Sequence, residues 1–157
     1  MNFDIFEFRN NTLSHLFFHE QDIKSGLRHR RALKEFLSKL FKKENTPVNS
    51  VNIVFCTDPF IKRMNKRFLH HNYFTDTLSF LLSPKGAPVT GEIYISIDTV
   101  RTNAIKFGVS YSQELYRVII HSCLHLCGYE DKPTSNATQM IKRQESYLKQ
   151  WLVSRGT

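Results

Sequence analysis

Apolar residues recur along this chain at two spacings, about 3.6 residues and two residues, and the switches between them mark the elements. Leu33, Phe36, Leu37, Leu40 and Phe41 follow the spacing of a helix face, in a segment that starts near Leu27 and ends around Asn45, ahead of Pro47. Before it, the aromatic and β-branched run from Phe3 to Phe8 reads as a first strand, and Val51 to Cys56 after it as a short buried one. Asp58-Pro59 then has the form of an N-cap followed by proline at the first helical position, with Ile61, Met64 and Phe68 on the apolar side. Thr77 to Leu82 alternates with Leu78, Phe80 and Leu82 on one side, and Glu92 to Ile97 with Ile93, Ile95 and Ile97 facing a core. The turn-rich segment between them predicts an antiparallel hairpin.

Three helices complete the pattern. Asp98 is placed to cap one carrying Val100, Ala104 and Phe107, which Gly108 would stop. Ser110 and Gln113 have the spacing of a capping box and open a second, almost wholly apolar from Val118 to Cys127. The last starts near Thr134, with Met140, Ile141, Leu148, Trp151 and Leu152 at helical intervals. This order predicts an α+β fold: a single mixed sheet of about four strands packed against five or six helices, with the Val118–Cys127 helix among the most buried. Residues 1–157 read as one domain, without internal repeat or linker.

Composition adds a partner class. The formal net charge of +8 favours a polyanion, nucleic acid or an acidic membrane surface. The basic face of the first helix (Arg28, Arg30, Arg31, Lys34) is read as solvated rather than as a dedicated RNA contact. No apolar run approaches the roughly 20 residues that cross a bilayer, and the N-terminus lacks a secretory signal, so a cytoplasmic location is expected. The cysteines, Cys56, Cys123 and Cys127, form no ribbon or redox spacing and read as reduced thiols.

The chemistry concentrates in His121-Ser122-Cys123-Leu124-His125-Leu126-Cys127-Gly128-Tyr129-Glu130-Asp131. Histidines four apart share one helix face. A single histidine on a buried helix is ordinarily a hydrogen-bonded core residue, whereas two together need separate acceptors or one shared cation. Gly128 can turn the chain back in the left-handed conformation, bringing Glu130 or Asp131 towards the imidazoles. Three ligands with a fourth position open is the count of a catalytic zinc site. Helical phase puts Cys123 about 200° and Cys127 about 240° from His121, against about 40° for His125, so the thiols face away. Spacing alone does not separate Glu130 from Asp131. A zinc-protease helix would carry glutamate where Ser122 stands, which counts against a peptidase.

The segment from His121 to Asp131 resembles the signature of the YbeY family of rRNA-maturation endoribonucleases, whose pattern runs H-G-x-L-H-L-x-G-Y-D-H. Thr75-Asp76-Thr77-Leu78-Ser79-Phe80 is similar to that family's T-D-V-L-S-F, and Gly91-Glu92-Ile93-Tyr94-Ile95-Ser96 to its G-D-I-x-I-S. The resemblance spans about Val48 to Leu148. It implies a metal-dependent hydrolase domain with one zinc ion per chain, cleavage of single-stranded RNA in rRNA maturation and ribosome quality control, and rRNA and the small ribosomal subunit as partners. Neither a membrane nor a small-molecule cofactor is implied.

The three family histidines fall on His121, His125 and Asp131, which makes these the metal and catalytic residues and selects Asp131 over Glu130. The family's Gly is Ser122 here, and its phosphate-engaging arginine falls on Leu69. Thr75 and Asp76 are expected in the cleft wall, Arg63, Lys66, Arg67 and His71 along the RNA, and Tyr73 and Phe74 as stacking platforms. Two rival readings are a ribosome-associated RNA-binding protein with a structural metal and a metal-dependent peptidase.

Overall fold

The computed structural model describes residues 15–69 and 76–156. Its elements run β1 (Leu16–Glu20), α1 (Arg30–Lys43), β2 (Val48–Cys56), α2 (Asp58–Leu69), β3 (Thr77–Leu81), β4 (Val89–Ser96), α3 (Ile97–Phe107), α4 (Tyr111–Leu126) and α5 (Thr134–Ser154). The four strands form one sheet in the order β1-β2-β4-β3. β1 and β2, and β2 and β4, pair parallel, while β3 and β4 form the expected antiparallel hairpin. A mixed α+β sheet is what the periodicities predicted. The strand expected at Phe3 to Phe8 lies outside the described residues, and among those described Leu16–Glu20, a segment not predicted as a strand, occupies the sheet edge. That edge strand turns Leu16 and Phe18 to the core and Phe17 and His19 to solvent, an alternation that the run Leu-Phe-Phe-His does not show in its residue types. Backbone pairing with β2 holds it in place.

One face of the sheet carries the main core. Val51, Ile53 and Phe55 of β2, and Ile93 and Ile95 of β4, meet Leu33, Leu37, Leu40 and Phe41 of α1 and the apolar side of α4. α4 lies against β3 and β4, and α5 covers it from outside. Gly91 on β4 lets this helix come close: a Cβ there would stand 2.8 Å from Leu126 Cδ1. The opposite face holds a smaller cluster, in which Cys56, Leu78 and Ile61 pack with Phe60, Met64, Phe80 and Tyr94 under α2. Leu78 and Phe80 thus share a side as predicted, but it is the side away from α4. Leu82 falls beyond the strand and is exposed.

Helix ends follow the expected chemistry in most places. Ser110 Oγ accepts the Gln113 amide at 3.1 Å, and Gly108 closes α3 in the left-handed conformation. At the end of α4 the Gly128 and Tyr129 amides return to the carbonyls of His125 and Leu124, a Schellman turn with Gly128 at φ 100°. The two aspartate caps are reassigned. Thr57 caps α2, and Ser96 caps α3. Because the two N-termini abut, each aspartate serves the other helix: Asp98 accepts the Asp58 amide at 2.8 Å, and Asp58 accepts the hydroxyls of Ser96 and Thr99. No helix among the described residues is long and apolar enough to cross a membrane.

Candidate metal centre

α4 presents His121 and His125 one turn apart, and the Schellman turn at Gly128 reverses the chain so that Asp131 comes back to them. One ligand atom from each of the three lies within 4.8 Å of the others, the one such grouping of His, Cys, Asp or Glu among the described residues. The two Nε2 atoms are 3.1 Å apart, with the rings at 86° to each other. Asp131 Oδ2 is 3.2 Å from His125 Nε2, and Oδ1 is 4.0 Å from His121 Nε2. Glu130 lines the same cleft but stays outside the cluster. The thiols point elsewhere, as helical phase required: Cys123 is fully buried in the core and Cys127 packs against it.

The other ring nitrogens decide what this cluster can bind. His121 Nδ1 donates to Gln144 Oε1 at 2.6 Å, and His125 Nδ1 donates to the Tyr129 carbonyl at 3.0 Å. With those protons committed to Nδ1, both neutral imidazoles turn an Nε2 lone pair inward, towards each other and towards a carboxylate. Three acceptors facing one point repel unless a cation lies among them. Tetrahedral zinc with bonds near 2.0–2.1 Å separates its ligand atoms by about 3.3 Å, close to two of the three distances here. The donor set therefore fits a small divalent ion. Burial, and then the neighbouring His121, hold the His125 pKa below the ordinary histidine value against the opposing pull of Asp131 and the Tyr129 carbonyl, which keeps its lone pair available.

Two supporting networks converge on the histidines, both anchored in α5. Gln144 Nε2 donates to Glu145 Oε1 at 3.0 Å, and Arg117 holds that carboxylate at 2.8 Å while pairing with Glu114 at 2.6 Å. Burial alone would raise the Glu145 carboxyl, but bonds from Arg117 and Gln144 outweigh it and keep it below its ordinary value. On the other side Glu44 accepts the hydroxyls of Tyr129 at 2.9 Å and Tyr147 at 2.6 Å, fixing the residue whose carbonyl orients His125. None of these partners was anticipated. Gln144 had a visible signal: with Met140, Tyr147, Leu148 and Trp151 it lies on the buried stripe of α5, where apolar residues are expected. Ile141, predicted for that stripe, is exposed.

The cleft, about 360 Å³, is walled by Asp76, Thr77, Ser79 and Leu81 on one side and by His121, His125 and Tyr129 to Asp131 on the other. Asp76 thus stands where the sequence placed it. Thr77 and Ser79 bind across to α4, at Ser122 Oγ (2.6 Å) and the Ser122 carbonyl (3.3 Å). Arg63, Lys66 and Arg67 do not line the cleft. They border a separate hollow with Phe60 and Met64 on α2, which packs on the other face of the sheet. His71, Tyr73, Phe74 and Thr75, and the side chain of Leu69, lie outside the described residues.

Comparison with known proteins matches residues 15–152 to the family model described as Endoribonuclease YbeY. A protein of that name from Chlorobaculum tepidum is 41% identical over 116 residues, which is 74% of this chain and 84% of its own. Another from Cytophaga hutchinsonii is 36% identical over 133 residues, covering 85% and 93%. The solution structure of a Thermotoga maritima protein superposes with a TM-score of 0.65 at 30% identity, over 88% of this chain and 90% of that one.

Proposed function

This chain belongs to the YbeY family of endoribonucleases, and from that premise we propose that it is a zinc-dependent endoribonuclease that cleaves single-stranded RNA in rRNA maturation and ribosome quality control. The observation that carries the metal reading is the convergence of two Nε2 lone pairs and the Asp131 carboxylate after both Nδ1 protons have been committed elsewhere. In this reading His121, His125 and Asp131 hold one zinc ion, with a fourth position left open. When bound, the ion supplies Lewis-acid stabilisation of charge developing on a phosphoryl oxygen.

The protein's own groups orient and confine. Gln144 and the Tyr129 carbonyl hold the imidazoles in one tautomer and one ring orientation. The β3 wall, with Asp76, Thr77 and Ser79 against α4, narrows the approach, which favours a single strand over a duplex. Because β3 is the sheet edge, an RNA strand leaving the cleft around it meets Arg63, Lys66 and Arg67 on α2. His71 and Thr75 belong to the connection that joins these two surfaces in sequence. The proposed setting is the cytoplasm, with rRNA and the small ribosomal subunit as partners.

One rival keeps a specific support. Leu69 stands where the family pattern has arginine, which favours an RNA-binding protein with a structural metal over an efficient nuclease. A peptidase is disfavoured further: the position that would carry its glutamate is Ser122, whose side chain is buried and donates to the Val118 carbonyl at 2.8 Å. The test is elemental analysis and cleavage of a labelled single-stranded rRNA fragment by the parent protein and by His121→Ala, His125→Ala and Asp131→Ala. One zinc per chain and cleavage in the parent, both lost in the histidine variants, is the expected result. Undiminished cleavage by H121A/H125A would overturn it, and zinc with RNA binding but unchanged RNA length would support the structural-metal rival.

A further inference from the structure

We propose that Gln144 is a positioning residue that selects the tautomer of His121 and thereby makes the triad competent to take up its metal. The inference rests on reading His121, His125 and Asp131 as metal ligands. Gln144 is a buried primary amide on an otherwise apolar helix stripe, a placement that costs free energy unless its polar atoms are bonded. Its Nε2 end faces the Glu145 carboxylate at 3.0 Å, and its Oε1 end faces His121 Nδ1 at 2.6 Å. Glu145 is held by Arg117 at 2.8 Å, and Arg117 is held by the buried Glu114 at 2.6 Å.

Polarity runs one way along this chain of bonds. A carboxylate only accepts and a guanidinium only donates, so the Glu145 end of the amide must be its NH2. Flipping the amide would set its carbonyl against that carboxylate. Oε1 therefore faces His121 and can only accept, which places the imidazole proton on Nδ1 and leaves the Nε2 lone pair directed at Asp131 and His125. With the opposite tautomer, an N–H would occupy the point where the ion must bind. His125 needs no such side chain, because its Nδ1 donates to the backbone carbonyl of Tyr129. Among the described residues, the tautomer of one ligand is thus set by backbone and that of the other by Gln144.

The test uses the full-length protein and two variants. Gln144→Leu keeps the volume and removes the acceptor, while Glu145→Ala removes the carboxylate that orients the amide. Long-range proton–nitrogen NMR on the metal-free proteins reads which ring nitrogen of His121 carries the proton, and chelator competition reads zinc affinity. We expect the parent to hold the proton on Nδ1. Q144L should shift it towards Nε2 and weaken zinc binding about 10–100-fold. Should Q144L fail to fold, Glu145→Ala frees the amide to flip and is expected to move the same tautomer signal. Unchanged tautomer and parental zinc affinity in a folded Q144L, or in a folded E145A standing in for it, would overturn the proposal alone. A parent that takes up no zinc would overturn the triad reading as well.

Discussion

Gly91→Ala tests how closely α4 must sit on the sheet for the site to form. The added Cβ would lie 2.8 Å from Leu126 Cδ1 and 3.1 Å from Cδ2, against the 3.5–4.0 Å at which carbon atoms attract. Roughly 1 Å of relief is needed, and because Leu126 is buried, either its side chain repacks against the core or the end of α4 shifts. Overpacking of this kind costs about 1–3 kcal/mol. Against it, replacing glycine stabilises by about 0.4–1 kcal/mol through the unfolded chain, so the net loss expected for G91A is about 0–2.6 kcal/mol. A double-mutant cycle isolates the steric part. With Leu126→Ala as background the clash is gone and G91A becomes neutral or stabilising, which gives a coupling of about 1–3 kcal/mol by urea denaturation. Zinc affinity of the same variant tells the two apart: it falls where the end of α4 shifts, because His125 precedes Leu126, and stays parental where the side chain alone repacks. A coupling below about 0.5 kcal/mol would refute the close-approach reasoning.

Glu44→Ala should destabilise the protein by about 2–4 kcal/mol, because it leaves two tyrosine hydroxyls without their carboxylate acceptor; thermal and urea denaturation check this. The thiols should be inert in the native state. Burial pushes Cys56 and Cys127 up to about 12 and Cys123 well above its ordinary value, so thiolate is scarce at neutral pH. A colorimetric thiol reagent at pH 7.5 should therefore label all three only on unfolding, and rapid labelling of native Cys127 would contradict that.

What could be read from the sequence is what depends on local period and local chemistry. The phase of α4 put both histidines on one face and the cysteines off it. The Ser110–Gln113 cap and the left-handed glycines at 108 and 128 fall where side-chain and backbone chemistry demand. What escaped depends on which surfaces meet. The alternation of β3 is real, yet no local signal says that Leu78 and Phe80 turn to α2 while Thr77 and Ser79 turn to the histidine helix. The same gap hid the distance between the basic residues of α2 and the cleft. β1 shows no readable pattern because its outward position also carries an aromatic, Phe17, so only the structure reveals that Leu16 and Phe18 face the core. Gln144 escaped because a lone polar residue on an apolar stripe has no meaning until its partner across the helix interface is known.

The distribution of charge gives the Asp131 position its weight. The chain carries a formal net charge of +8, yet the charged residues that line the cleft among those described are Asp76, Glu130 and Asp131, and no described lysine or arginine lines it. Attraction of a polyanion over a Debye length of about 8 Å is supplied by the rest of the surface, the α2 face included, while the cleft itself repels phosphate. The proposed divalent ion, held by two neutral imidazoles and one carboxylate, would leave a formal charge of +1 at the triad, where three histidines would leave +2. On the proposed reading, RNA affinity would separate into a part that salt screens and a part that needs the metal. The second part would be the one that draws the phosphate from the basic face to the histidines, and an aspartate at position 131 would weaken it.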